Sequence, residues 1–341
     1  MHLTQKARKG ILNMSRPVMN LIDVKKEFQT DEQCLAYLEA QRWPDGTVRC
    51  PTCGNDRISK ITRKTASKNK RAQLYQCLEK TCKQQFSATS GTIFHDSHLS
   101  LTKWFMAIAL VIDAKKGMSA KQLQQHLGIG SYRTAWYMAH RIREAMVDVD
   151  PTPMSGVVEI DETYIGGTAI RRFKPKPKPA KQMVLAIRER TKKIKSTGEV
   201  KTGRVRFFHV PDGKRATIQP IIDKHVDQWA DRIITDNSSV YDFAINEHHK
   251  KNHRKVNHIT EWVVPGSRIH TNTVESAFSL LKRGLIGSFH RVSIKHLHRY
   301  LTEFEYRFNE RSNEARFVKT TQRLLQGKTM PYKTLTAPTE A

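Results

Sequence analysis

The sequence has no long hydrophobic run. None of its segments approaches the roughly 18 consecutive apolar residues that a membrane-spanning helix needs. The charged N-terminus is not followed by the apolar core of a secretory signal. We therefore expect an intracellular protein that has no membrane partner.

Cysteine is also scarce, with five residues in a chain of 341. Four of them form two close pairs, while Cys34 stands alone and is expected to pack in the interior. This usage fits metal ligation in a reducing compartment better than a disulfide framework.

Acidic residues are few relative to basic ones. The chain has 32 Asp and Glu against 59 Lys and Arg, which gives a formal net charge of +27. Because the basic residues recur along nearly the whole length, the positive charge is not confined to one tail. This pattern indicates a nucleic-acid partner, although an ordinary solvated surface or a ribosome-type protein can carry similar charge.

The two cysteine pairs have the spacing of a metal site. Cys50 and Cys53 are separated by two residues, and Cys77 and Cys82 by four. Each pair can hold a metal from a tight turn, and four thiolates complete the tetrahedral coordination of zinc. We predict one structural zinc ion in a small zinc ribbon, since no ligand position is left for a substrate. The alternative is four unrelated buried cysteines.

Helical periodicity between residues 101 and 147 predicts three helices. The second and third, separated by a glycine-containing turn at 128–130, have the lengths of a helix-turn-helix. The third helix, from 131 to about 147, would then read DNA. The alternative is a plain three-helix bundle between two domains. The residues predicted to contact DNA from this helix are Arg133, Tyr137 and Arg141.

Beyond residue 153 the pattern changes to β-strands that carry isolated acids. Asp161 lies inside an apolar, β-branched strand, and Asp236 ends another strand. Glu275 lies near the start of a helix. Carboxylates on adjacent strands can bind Mg²⁺ or Mn²⁺. Each acid also has a structural interpretation: Asp161 as a buried ion-pair partner, Asp236 as a helix cap, and Glu275 as half of a capping box with Asn272.

Together the three acids predict a catalytic site with two divalent cations about 4 Å apart, which activate the attacking group and stabilise the leaving oxygen. Lys282 follows Glu275 by seven residues, on the same helix face. Lys282 and the adjacent Arg283 are expected to contact DNA. His270, two residues before Asn272, is placed to touch the scissile phosphate.

Several motifs resemble the DDE transposases of prokaryotic insertion sequences that carry an N-terminal zinc ribbon, the ISXO-like group (insertion sequence 1595 group). The resemblance covers about residues 28–311. It rests on RWP at 42–44, CPTCG at 50–54, FS at 86–87, TSGTIF at 89–94, IDETYIGG at 160–167, HTNTVES at 270–276, LKRG at 281–284 and FEYRFN at 304–309.

The resemblance implies a ribonuclease-H-like catalytic domain, two divalent metal ions, and movement of an element bounded by inverted repeats. Asp161 and Asp236 match the first two aspartates of the family, and Lys282 matches its downstream lysine. Members of the group have either Asn or Glu at the third position. This chain has both Asn272 and Glu275, so the third residue stays open.

We therefore expect a multidomain protein with a zinc ribbon at 28–98, a helix-turn-helix region at 99–150, an α/β ribonuclease-H-like domain at 155–311 and a C-terminal tail at 312–341. It is expected to cleave and transfer DNA strands at element ends, as a homo-oligomer in the nucleoid region of a prokaryotic cytoplasm. The alternatives are a catalytically silent DNA-binding regulator and a hydrolytic DNA nuclease.

Overall fold

The computed structural model describes residues 19–61, 74–148, 151–166, 181–193, 196–258 and 263–337. The chain divides into two compact units. The first consists of the described parts of Met1–Ala114, Met118–Met146 and Asn313–Ala341. The second consists of Lys115–Gly117 and the described parts of Val147–Ser312. The second unit is therefore inserted in the chain between segments of the first.

The first unit begins with helices, continues through a small three-stranded antiparallel sheet, and returns to helices. Its sheet has the order β1-β2-β3. Its elements up to Met146 are α1 (Leu21–Glu27), α2 (Asp31–Arg42), β1 (Ile58–Ile61), β2 (Leu74–Cys77), β3 (Gln85–Phe86), α3 (Leu101–Asp113), α4 (Ala120–His126) and α5 (Tyr132–Ala145).

The second unit is an α/β fold around one larger sheet. A π-helical turn at Leu285–Phe289 follows its helix α9. Its elements are β4 (Val157–Ile165), β5 (Gln182–Glu189), β6 (Lys192–Lys193), β7 (Val200–Lys201), β8 (Val205–Val210), α6 (Arg215–His225), β9 (Arg232–Asp236), α7 (Ser239–Ala244), α8 (Glu247–Lys250), β10 (His253–Val256), α9 (Asn272–Gly284) and α10 (Ile294–Asn309).

The larger sheet is mixed, with the strand order β10-β9-β4-β5-β8. β4 and β8 both pair antiparallel with β5, whereas β9 pairs parallel with both β4 and β10. β5 is the next strand after β4 in the sequence and pairs with it antiparallel, whereas the parallel β9 is reached only after helix α6. The arrangement places β4 in the middle of the sheet.

Side chains of the central strands point alternately to two apolar cores, one on each face of the sheet. Val158 and Ile160 of β4 pack in a core that includes residues of α6 and α7. Val184 and Ala186 of β5 pack in the other core, with residues of α9 and α10. Helices therefore cover both faces, and the odd-numbered residues of β4 face the side on which α9 lies.

Residues 312–341, expected to form a tail, contain two helices, α11 (Arg316–Gln326) and α12 (Tyr332–Thr336). They belong to the first unit. Phe317 of α11 is fully buried, and its ring lies 5.8 Å from that of Phe105 in α3. Within the described residues, no helix is both long enough and apolar enough to cross a membrane.

Gly284, at the end of α9, offers a test of packing in the second unit. A Cβ atom there would lie 2.5 Å from the carbonyl oxygen of Lys116 and would overlap the ring of Phe304. We expect Gly284→Ala to lower the free energy of unfolding by about 1–3 kcal/mol, because neither a backbone atom nor a packed ring can move aside cheaply.

Gly287, in the adjacent π-helical turn, is the matched control, since a Cβ atom there meets nothing within 4 Å. Gly287→Ala should leave stability unchanged or raise it by up to about 1 kcal/mol, because alanine favours helical backbone. Denaturant unfolding followed by circular dichroism measures both. Equal stability of the two variants would contradict the close packing at Gly284.

Candidate functional site

The parallel pairing of β4 with β9 brings two of the predicted acids to neighbouring positions. The register pairs Val158 with Ile233 and Glu159 with Ile234. Two residues further along both strands lie Asp161 and Asp236. Because side chains alternate along a strand, Asp161 lies on the same face of β4 as Glu159. Asp236 ends β9 next to it, before the turn that leads into α7.

Asp161 has a strongly perturbed acidity. Burial raises the pKa of its carboxyl to about 7, and the negative charges of Glu162, Asp236 and Glu275 act in the same direction. A hydrogen bond from the Glu162 amide, at 2.9 Å, opposes this shift. Asp236 and Glu275 therefore both disfavour the charged form of Asp161, which is the condition that a bound divalent cation relieves.

Glu275 reaches this group from the first turn of α9. Its Oε1 atom accepts a hydrogen bond of 2.9 Å from the Thr271 hydroxyl and lies 3.5 Å from Nε2 of His258. His258 and Thr271 are also hydrogen-bonded to each other, at 2.8 Å. The carboxylate is thus held by two side chains while remaining about one-third exposed, at 36%.

Asn272 does not have the capping role considered for it. The N-cap of α9 is Thr271, and Asn272 is the first helical residue, with an exposed side chain. No capping box with Glu275 forms, because the Glu275 carboxylate is bonded to the Thr271 hydroxyl. The amide of Val274, a group that an N-cap side chain usually satisfies, donates instead to Glu159 at 2.8 Å.

Lys282 and Arg283 lie further along α9, and both are exposed. The buried face of this helix consists of Val274, Ala277, Phe278 and Leu281. Glu275 and Lys282 are off this face and are separated by about two turns, as the sequence predicted. The helix therefore carries an acid at its start and two exposed cations at its end.

His270 is held at the edge of the same region. Its Nδ1 atom lies 3.0 Å from Nη2 of Arg190 and 3.6 Å from Oε1 of Glu159. Burial lowers the pKa of its imidazole, and the charge of Arg190 lowers it further, so that the neutral form is favoured. In this arrangement Nδ1 of a neutral ring accepts a hydrogen bond from Arg190.

Four cysteines form a second candidate site, in the first unit. Cys50 and Cys82 have their sulfur atoms 3.7 Å apart, Cys53 and Cys77 have theirs 3.6 Å apart, and all four sulfurs lie within 4.8 Å of one another. Zinc with four bonds of about 2.3 Å in a tetrahedron requires sulfur separations of about 3.8 Å. The quartet therefore fits a zinc ion. Among the described residues, the carboxylates form no group of three that is as compact.

The turn that contains Cys50 and Cys53 favours a thiolate at Cys50. Burial alone would raise the pKa of the Cys50 thiol, but hydrogen bonds from the amides of Cys53 and Thr52 outweigh it and bring the pKa to about 7. Gly54, which closes the turn, has a φ angle of +75°, a conformation that favours glycine. The backbone amides of this first turn thus stabilise the thiolate of Cys50, the form that binds metal.

Two of the three residues predicted to read DNA from α5 are engaged inside the first unit. Arg141 is 3% exposed, its guanidinium lies 5.2 Å from the ring centres of both Trp104 and Tyr137, and it donates to the carbonyl of His95. The Tyr137 hydroxyl donates to the carbonyl of Met330. Arg141 and Tyr137 were expected to face a DNA groove, and this expectation is corrected. Arg141 packs against Trp104 and Tyr137, and Tyr137 is hydrogen-bonded to the C-terminal segment.

Arg133 differs from these two residues, since its side chain is exposed at the start of α5. Its guanidinium lies 5.9 Å from the ring centre of Tyr332, in α12. The early turn of the helix is therefore the part that presents a cation to solvent.

Sequence reasoning missed four side chains that surround the acids. Glu159 and Glu162 flank Asp161 on β4; the first is fully buried, and the second accepts a hydrogen bond from Tyr241 of α7. Arg190 is the partner of Glu159. In the sequence, Glu159 and Glu162 were indicated by their position beside Asp161 in an apolar strand. Their partners lie far along the chain, and no local pattern identifies them.

Comparison with known proteins gives matches over both units. Residues 29–85 match a model described as a transposase zinc-ribbon domain, and residues 153–309 match one described as an ISXO2-like transposase domain. An uncharacterized protein in transposable element ISH50 of Halobacterium salinarum is 28% identical over 295 residues, which is 83% of this chain and 92% of that protein.

The matched segments contain the cysteine quartet in the first case and Asp161, Asp236 and Glu275 in the second. The relative that aligns over most of both chains is named as a protein in a transposable element. The chain belongs to the ISXO2-like DDE transposase family.

Proposed function

We propose that this transposase binds the ends of its insertion sequence, cleaves DNA strands there and transfers them to target DNA in a metal-dependent reaction. The convergence of three acids carries the proposal, since burial raises the pKa of Asp161 to about 7 and the charges of Asp236 and Glu275 act in the same direction. A buried acid whose pKa is strongly perturbed beside other acids is typical of a catalytic site.

Asp161, Asp236 and Glu275 would hold one or two Mg²⁺ or Mn²⁺ ions, which prefer carboxylate oxygens as ligands. When bound, such ions activate a water molecule or a 3′-hydroxyl as the nucleophile and stabilise the leaving oxygen. The hydroxyl of Thr271 orients Glu275 for this task. The exposed Lys282 and Arg283 are suited to bind the DNA phosphates.

The second unit is proposed to be a ribonuclease-H-like domain. A mixed five-stranded sheet, helices on both faces, and acids on the two adjacent central strands support this assignment. The helices α3 to α5 are proposed to act as a helix-turn-helix, supported by their lengths and by the turn at Gly128, which has a φ angle of +56°.

DNA is the proposed partner of both units, and the net charge of +27 supports it. The terminal inverted repeats and the target would be bound in turn. Since the two ends of an element must be cut and joined together, we further propose that the protein acts as a homo-oligomer on DNA.

The first test concerns the third acid. We expect Glu275→Gln to lower Mg²⁺-dependent strand transfer at least about a hundredfold, as Asp161→Asn and Asp236→Asn should, because each removes a charged ligand. Asn272→Ala should keep most of the activity and change stability by no more than about 0.5 kcal/mol, since its exposed side chain caps nothing. Strand transfer is measured with pre-cut ends and a supercoiled target.

A binding gel for each variant separates catalysis from recognition, and end binding should stay at the wild-type level. If Glu275→Gln joined strands while Asn272→Ala did not, Asn272 would be the third residue. Cleaved but never joined DNA from the wild-type protein would favour a nuclease. Unchanged DNA in every assay, with intact binding, would favour a regulator.

A second test concerns the cysteine quartet. Native protein should contain one zinc ion per chain, and Cys77→Ser or Cys82→Ser should lose it, because a small metal module depends on its metal for folding. End binding should fall with the zinc content. Elemental analysis of purified protein gives the stoichiometry.

Cys34→Ala is the matched control for that experiment. Cys34 is fully buried in α2 and lies outside the quartet, so its loss should leave the zinc content unchanged. Native protein without zinc, or full zinc content in Cys82→Ser, would show that the quartet is not a zinc site.

A third test separates two arginines of α5. Arg133→Ala should weaken DNA binding with little change in stability. Its affinity should also fall less steeply with salt concentration, by the amount expected for the loss of about one phosphate contact. Arg141→Ala should lower stability by about 1–3 kcal/mol, because it leaves the carbonyl of His95 without its donor. Titrations at several salt concentrations and unfolding curves measure these effects. Wild-type binding by Arg133→Ala at every salt concentration would exclude it from the interface.

A further inference from the structure

Glu159 is an enclosed carboxylate at the base of the acid cluster. It lies two residues before Asp161 on β4, and none of its surface is exposed. Its Oε2 atom accepts a hydrogen bond of 2.8 Å from the amide of Val274, and its Oε1 atom accepts one from Nε of Arg190. With both oxygens engaged in the interior, Glu159 is not placed to act as a ligand of the proposed cations.

The bond to Val274 ties the start of α9 to the central strand. The first amides of a helix have no partner within the helix, and the N-cap Thr271 makes no side-chain hydrogen bond to them. Glu159 therefore acts as a cap from a distant strand, with its negative charge at the positive end of the helix. Since Val274 directly precedes Glu275, this bond fixes the position of Glu275 relative to Asp161.

Arg190 completes the connection. Its guanidinium donates to Glu159, to the carbonyl oxygens of Arg268 and His270, both at 2.8 Å, and it contacts the His270 ring. Residues 268–270 lead directly into α9. A planar guanidinium with several donors can hold a carboxylate and a chain segment at once, which a lysine cannot. Arg190 also balances a buried charge that would otherwise add to the repulsion among the acids.

We propose that Glu159 and Arg190 form a positioning pair that sets Glu275 against Asp161 and thereby sets the affinity of the acid cluster for a divalent cation. The proposal rests on the proposed function, since it assumes that these acids bind the cation. Neither residue touches the cation or the DNA.

Direct Mn²⁺ binding to the full-length protein tests this pair. Electron paramagnetic resonance measures free Mn²⁺ and does not depend on strand transfer or on the structural zinc. Glu159→Gln places an amide against Arg190, and Arg190→Lys keeps the charge while losing the bonds to residues 268–270. We expect each to weaken Mn²⁺ binding about tenfold or more, the usual effect of removing a partner that orients a metal ligand.

Glu189→Gln is the matched control. Glu189 is a buried carboxylate of the same sheet, 4% exposed, and its partners are Arg204 at 2.9 Å, Lys201 at 3.5 Å and the Ser155 amide. The loss of its charge disturbs a buried ion pair without touching α9. Its Mn²⁺ affinity should therefore equal that of the wild type, even where its melting temperature falls.

The double variant Glu159→Gln with Arg190→Lys should bind Mn²⁺ no more weakly than the worse single variant, because both changes break one connection. If Glu159→Gln does not fold, Arg190→Lys carries the test alone. Wild-type Mn²⁺ affinity in a folded Glu159→Gln or Arg190→Lys variant would overturn the proposal, and so would an equal loss in Glu189→Gln.

The same titration distinguishes this proposal from the proposed function. If the wild type binds Mn²⁺ and Asp161→Asn does not, the acid cluster is the cation site, and the behaviour of Glu159→Gln then decides the role of the pair. If the wild type binds no Mn²⁺, the acid cluster is not a cation site, and the proposal of a positioning pair is overturned as well.

Discussion

The parallel pairing of β4 with β9 is the constraint on which the arrangement of acids in the second unit depends. It is formed between strands separated by more than sixty residues of sequence, and it alone determines that Asp161 and Asp236 lie side by side. A shift of one residue in this register would turn one of the two acids to the opposite face of the sheet. The apolar residues of both strands resist such a shift, because Val158 and Ile233 are buried in the same core. Apolar packing on one face of the sheet thus keeps Asp161 and Asp236 beside each other on the opposite face.

The acidic side chains around Asp161 are stabilised by partners of different kinds. Glu159 is paired with a guanidinium, Glu162 accepts from the buried Tyr241, and Glu275 is held by the Thr271 hydroxyl. Asp161 has the amide of its neighbour as a donor, but burial, together with the negative charges of the neighbouring acids, raises its pKa to about 7. These partners matter because a buried carboxylate without a compensating donor or cation is energetically costly.

Local signals in the sequence predicted much of this arrangement. The β-branched run around Asp161 predicted a strand at 157–165, which is β4, and the cysteine spacing predicted a quartet whose sulfurs are in fact close together. The family assignment is confirmed, whereas the catalytic roles of the acids stay predictions. Local signals could not predict which residues from distant parts of the sequence complete each site. The donor of Glu159 comes from α9, and Arg141 is covered by residues of other elements, so its burial depends on tertiary packing.

The first unit also depends on contacts between distant parts of the sequence, which its C-terminal helices make. The chain leaves the first unit after Met146 and returns to it at Asn313, and after this return α11 packs against α3. The fully buried Phe317 and the ion pair of Arg316 with Asp113, at 2.7 Å, show that this return is part of the core. The segment after residue 312 therefore completes the N-terminal unit, and its contacts with α5 explain why Tyr137 faces Met330.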